Sequence, residues 1–102
     1  EINFLASGAF RGSLALIYAQ QNRFSEAFQL IEDGEDVITP IPLECGKFLC
    51  KKAKVFALYQ NDVQAQEALQ HAKSIARNLK VRANSELSEL ISEVQVGYLK
   101  DQ

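Results

Sequence analysis

The chain has 102 residues and a net charge of −2, with a pI of about 5.4; this sets one domain as the upper bound and disfavours a general nucleic-acid role. Apolar residues make up 47% and charged residues 24%, the balance of an ordinary globular domain, and no apolar run approaches the roughly 20 residues that span a bilayer. The chain begins at Glu1, contains no methionine and shows no secretory leader, so it reads as a piece of a longer, cytoplasmic protein.

Ile2, Phe4 and Leu5 open an apolar pattern that Phe10, Leu14, Ile17 and Tyr18 continue at three- and four-residue steps. The spacing predicts a first helix to residue 20, starting anywhere from Ile2 to Gly8. Gly8 and Gly12 weaken it by about 1 kcal/mol each relative to alanine and read as points of close helix contact. The polar break Gln20-Gln21-Asn22-Arg23 predicts a tight turn with Asn22 starting the next helix. That second helix should run from Phe24 to about Ile38, with Phe24, Ala27, Phe28, Ile31 and Ile38 on its apolar face. Glu32, Asp33, Glu35 and Asp36 oppose the helix dipole near its end, so fraying after Gly34 is expected.

Thr39-Pro40-Ile41-Pro42 is the clearest break, because proline suits a first helical turn and disfavours helix just before it. A third helix is expected from Pro42 to about Gln60. Within it Lys47, Lys51 and Lys54 stand at i, i+4 and i+7 and share one face, with Lys52 to the side. Asn61, with Gln64 three residues on, resembles a capping box for a fourth helix. That helix carries a stripe of Ala65, Ala68, Leu69, Ala72, Ile75, Ala76 and Leu79. After a loop at 80–84, Asn84 or Ser85 should cap a fifth helix with Leu87, Leu90, Ile91, Val94 and Tyr98 on one face. Asp101 and Gln102 should fray. Strict two-residue alternation is absent, so the expected class is all-α with about five helices.

Cys45 and Cys50 do not form a C-x-x-C pair. Five residues on a helix turn side chains by about 140°, so they should point apart as reduced, half-buried thiols. Metal ligands do not cluster in the sequence, no Gly-rich phosphate loop follows a strand, and no cofactor is expected.

The third and fourth helices echo the first and second. Leu14-Ala15, Tyr18, a polar turn, Phe24, Ala27 and Ile31 are matched by Lys52-Ala53, Phe56, the turn at 60–62, Ala65, Leu69 and Ala72. Ala27 and Ala65 lie thirty-eight residues apart. Recurrence at such a period points to a helical solenoid. On these residues the chain resembles the tetratricopeptide repeat family, over about residues 8–79. Leu14, Ala15, Tyr18, Asn22, Phe24, Ala27, Ile31 and Gly34, with Pro40 beyond, carry the first unit. Leu49, Ala53, Phe56, Asn61, Ala65, Leu69 and Ala72 carry the second. Arg11 replaces a bulky aromatic, the second unit lacks its final proline, Val63 stands one place from the expected aromatic, and the period exceeds thirty-four. The longer units are similar to those of large bacterial signalling proteins.

The resemblance implies a right-handed stack of antiparallel helix hairpins. Its units would span about 8–40 and 43–79, and a terminal helix at about 84–99 would cap the stack or fill its groove. It further implies a concave surface lined by Ala9, Gly12, Ser13, Leu16 and Gln20 and by Lys47, Cys50, Lys51, Lys54 and Leu58. The expected function is non-catalytic protein binding or scaffolding. A basic groove at Lys47, Lys51, Lys54, Leu58, Leu16 and Gln20 would take an acidic peptide or another part of the same chain. Neither nucleic acid nor membrane is an expected partner. Two alternatives stand beside this: self-association through an exposed end of the stack, and histidine phosphotransfer at His71. His71-Ala72-Lys73-Ser74 is faintly similar to the phosphotransfer motif His-x-x-Lys-Gly, with the lysine one place early and the glycine missing.

Overall fold

A computed structural model describes residues 4–99, with side chains from Ser7 onward. The described residues form five helices and no strand: α1 (Phe4–Gln20), α2 (Phe24–Ile38), α3 (Pro42–Leu58), α4 (Asp62–Leu79) and α5 (Glu86–Gly97). None is long and apolar enough to cross a membrane. Ile2, Asp101 and Gln102 lie outside the described residues.

Local chemistry sets most helix ends. Pro42 sits in the first turn of α3, where its missing N–H is no loss. The Asn61 side chain accepts a hydrogen bond from the Gln64 backbone N–H at 3.1 Å, and Ser85 Oγ accepts one from the Ser88 N–H at 3.2 Å. The turn after α1 differs from its sequence reading. Asn22 does not start α2. It takes a left-handed conformation, φ 62°, and closes α1, while Arg23 occupies the cap position of α2 without a side-chain bond. Gln60 does the same after α3, with φ 66°. In each turn the next N–H reaches back five residues, Arg23 to the Tyr18 carbonyl and Asn61 to the Phe56 carbonyl, both at 2.9 Å. This satisfies carbonyls that a helix end otherwise leaves open.

Short turns fold α2 back along α1 and α4 back along α3, giving two tightly packed pairs. α3 lies against α1, and α5 against α3; α2 touches α3 and α4 touches α5. The Cα trace measures 42 × 34 × 18 Å. The short dimension fits two layers of helices about 10 Å across, with α1, α3 and α5 in one and α2 and α4 behind.

Two cores result. Ala15, Ala19, Ala27, Ile31 and Ile38 of the first pair enclose Phe48 and Val55 of α3. Leu49, Ala53, Ala65, Leu69 and Ala72 of the second pair meet Leu87, Ile91 and Val94 of α5. Fraying of α2 after Gly34 does not occur. The Phe48 ring lies on the bare backbone there, so a Cβ on Gly34 would sit 2.7 Å from Phe48 Cε2. Burying that ring and Ile38, 1% exposed, contributes about 1.5–3 kcal/mol each and outweighs the adverse charge at the helix end. The pair Lys52 Nζ–Glu35 Oε1, at 2.8 Å, also offsets part of that charge.

Candidate functional site

α3 turns Lys47, Lys51 and Lys54 toward the layer it shares with α1 and α5, but the three do not present one basic strip. Lys47 Nζ lies 2.8 Å from Glu86 Oε1 and 3.3 Å from Glu44 Oε2. The Lys54 ammonium meets the Glu93 carboxylate and stands 5.4 Å from the centre of the Tyr98 ring. Glu86 and Glu93 are seven residues apart on α5, as Lys47 and Lys54 are on α3, so two parallel helices are joined by two charge pairs in one register. The hydrogen bond from Lys47 lowers the Glu86 carboxyl below its usual value, and Glu86 raises the Lys47 ammonium above its own. Both pairs are partly open to water, which screens them.

Lys51 differs. Its ammonium donates to Ser13 Oγ of α1 at 2.8 Å, and among the described residues no carboxylate lies within ion-pair distance. Burial, followed by the like charge of Lys54, pushes its pKa down against the opposing pull of Glu44 and Glu86, as expected for an ammonium without a direct ion pair. Lys51 lines a cavity of about 250 Å³ between α1, α3 and α5, with Ala9, Phe48, Leu90, Lys47 and Glu86 among its walls. The site thus offers an ammonium with no direct ion pair beside apolar walls, on a rim where Lys47 is paired with Glu44 and Glu86. Chemically it suits a carboxylate with an apolar neighbour.

The other expected groove residues scatter. Leu16 is half-buried and packs toward the first core, Gln20 is exposed, and Leu58 is 38% exposed at the end of α3; none of the three lines the Lys51 cavity. Ala9 lines it, and Ser13 holds Lys51. Gly12 is covered by the Phe48 ring. Cys50 is fully buried rather than on a concave surface, and desolvation pushes its thiol up to about 12. Cys45 is buried as well, and both cysteines are free thiols, deeper than the half-buried state expected of them. His71 is exposed on α4. Ile75, where the phosphotransfer motif has glycine, is a half-buried side chain packed toward Gly46.

α5 supplies Glu86, Leu90 and Glu93, which sequence reasoning left out of the site. A signal for them existed: glutamates seven apart on one amphipathic helix match lysines seven apart on another. Among the described residues no group of three or more His, Cys, Asp or Glu side chains is gathered for a metal ion. In comparisons with known proteins, no family model, curated protein or solved structure matches this chain.

Proposed function

We propose that the chain is a non-catalytic helical-repeat module of the tetratricopeptide type, and that it binds an acidic segment of another protein, or of its own polypeptide, at the face where α1, α3 and α5 meet. The repeat half of this reading is supported by equivalences thirty-eight residues apart. Ala15 and Ala53 are both fully buried, as are Ala27 and Ala65. Asn22 and Gln60 share the left-handed turn, and Gly8 and Gly46 both meet a neighbouring helix closely.

The observation that carries the binding half is Lys51: a half-buried ammonium with no ion pair among the described residues, on the wall of a cavity with apolar sides. An incoming carboxylate would give Lys51 a direct ion pair in a partly desolvated setting, where charge-assisted bonds are strongest. The phosphotransfer reading at His71 has weaker support, since Ile75 fills the place that the motif leaves empty.

Selection from a library of short peptides containing Asp, Glu and free C-terminal carboxylates tests the proposal. Peptides that bind the wild-type chain and lose at least about tenfold affinity with Lys51→Glu support it. Peptides held equally by both place binding elsewhere, and a library that yields no binder rejects the site. Lys51 is the residue to change, because Lys47→Glu or Lys54→Glu would also break the α3–α5 pairing.

A further inference from the structure

α1 carries a single charge, Arg11, in seventeen residues. A helix apolar around most of its circumference is normally covered around most of it. α2 and α3 cover two sides of α1, yet Phe10 is 65% and Ile17 48% exposed. Seven residues apart, these two share one stripe.

Thirty-eight residues further on stand Phe48 and Val55 of α3, 2% and 0% exposed. Both sit in the core built by α1 and α2. The Phe48 ring fits there because Gly12 and Gly34 have no side chain: a Cβ on either would lie 3.0 Å or less from it. α3 therefore docks on the first pair by the same stripe that α1 leaves open. The ends of the two helices, Gln20 and Leu58, are spaced by the same thirty-eight residues.

We propose that the Phe10–Ile17 stripe is a docking surface for one more helix pair of the α1–α2 kind, carried by the same polypeptide ahead of α1, with small residues at the positions equivalent to Gly12 and Gly34. The proposal rests on the repeat reading above and is independent of peptide binding at Lys51. A second copy of this chain fits less well. Its Gly12–Gly34 seat is already filled by Phe48, and the next equivalent positions, Cys50 and Ala72, are both fully buried.

Two measurements test this. Sedimentation of the 102-residue chain should show a monomer up to high concentration. A dimer that Phe10→Lys/Ile17→Lys dissolves would overturn the proposal in favour of a second copy. In the second measurement, residues 4–41 are repeated directly ahead of Phe4, so that the added Gly12 and Gly34 form a vacant seat. A thiol placed by Phe10→Cys should then alkylate at least about tenfold more slowly than in the short chain. Gly34→Leu in the added copy alone should restore fast labelling. Equal labelling in both chains, with helical content raised by the added pair, would reject the docking surface while leaving the repeat reading intact. An added pair that gains no helix would reject the repeat reading itself, and the proposal with it.

Discussion

Phe10 and Phe48 occupy corresponding places on α1 and α3, yet one is 65% exposed and the other 2%. Nothing in their immediate sequence separates them: each is an aromatic residue in a helix, two residues beyond a glycine. The difference lies in the neighbour. Phe48 finds the bare backbones of Gly12 and Gly34, whereas the described part of the chain offers Phe10 no such seat. The fate of an apolar residue on these helices is thus set by the neighbouring helix pair, and the comparison can be broken or sharpened at several strengths.

The largest effect is expected at the two aromatics. Phe48→Ala should cost about 3–5 kcal/mol by leaving a cavity between the two pairs, a large share of the stability of a domain this size. Phe10→Ala should stay within about 0.5 kcal/mol. Urea unfolding of both variants measures the gap, and equal losses would remove the distinction. Next comes the seat itself. Gly34→Ala should destabilise by about 1–3 kcal/mol through overpacking, even though alanine favours helix by about 1 kcal/mol. Gly97→Ala, with nothing within 4 Å of the added Cβ, should be neutral or slightly stabilising.

The lysines give a smaller, third contrast. Lys54→Met should cost about 1 kcal/mol, since it leaves Glu93 without its partner, while Lys51→Met should be neutral or stabilising at pH 7, since it removes a desolvated charge. The pH dependence separates Lys51 from Lys47. Folding holds Lys51 below the lysine value of 10.5, so its protonation opposes folding, and that penalty fades as pH rises through its folded pKa toward 10.5. Folding holds Lys47 above 10.5, so its contribution is complete below 10.5 and is lost as pH climbs through the higher folded value. In alkaline unfolding series Lys51→Met should remove a gain with rising pH, and Lys47→Met should remove a loss. The smallest effect concerns the two matched turns. Gln60→Gly should stabilise by about 0.5–1 kcal/mol by relieving a left-handed backbone at a residue with a Cβ. Asn22→Gly should gain less, because asparagine tolerates that conformation. Thermal unfolding would show whether the order holds.

Helix existence and most boundaries were legible because their causes are local. Pro42, Asn61 and Ser85 announce starts, and apolar steps of three and four residues announce helices. Two local readings failed for reasons that lie elsewhere in the chain. Gly34 looked like a weak point and is a contact, because a ring fourteen residues later rests on it. Asn22 looked like a helix start and is a helix end, since its left-handed conformation closes α1. The lysine face was legible as a spacing but not as a site. Whether Lys47, Lys51 and Lys54 are free or neutralised depends on Glu86 and Glu93, thirty-nine residues away from their partners, and on the way α5 lies along α3. The enclosure of Cys50 likewise follows from α4 and α5, which no property of its own helix announces.

The two thiols have a use that follows from where they lie. Cys45 and Cys50 are both buried in the core that the second pair shares with α5, and the buried residues of the first core include no cysteine. Each thiol can react only while the second core stands open. Timed alkylation followed by mass spectrometry would therefore clock the opening of that core alone, with reporters the chain already contains.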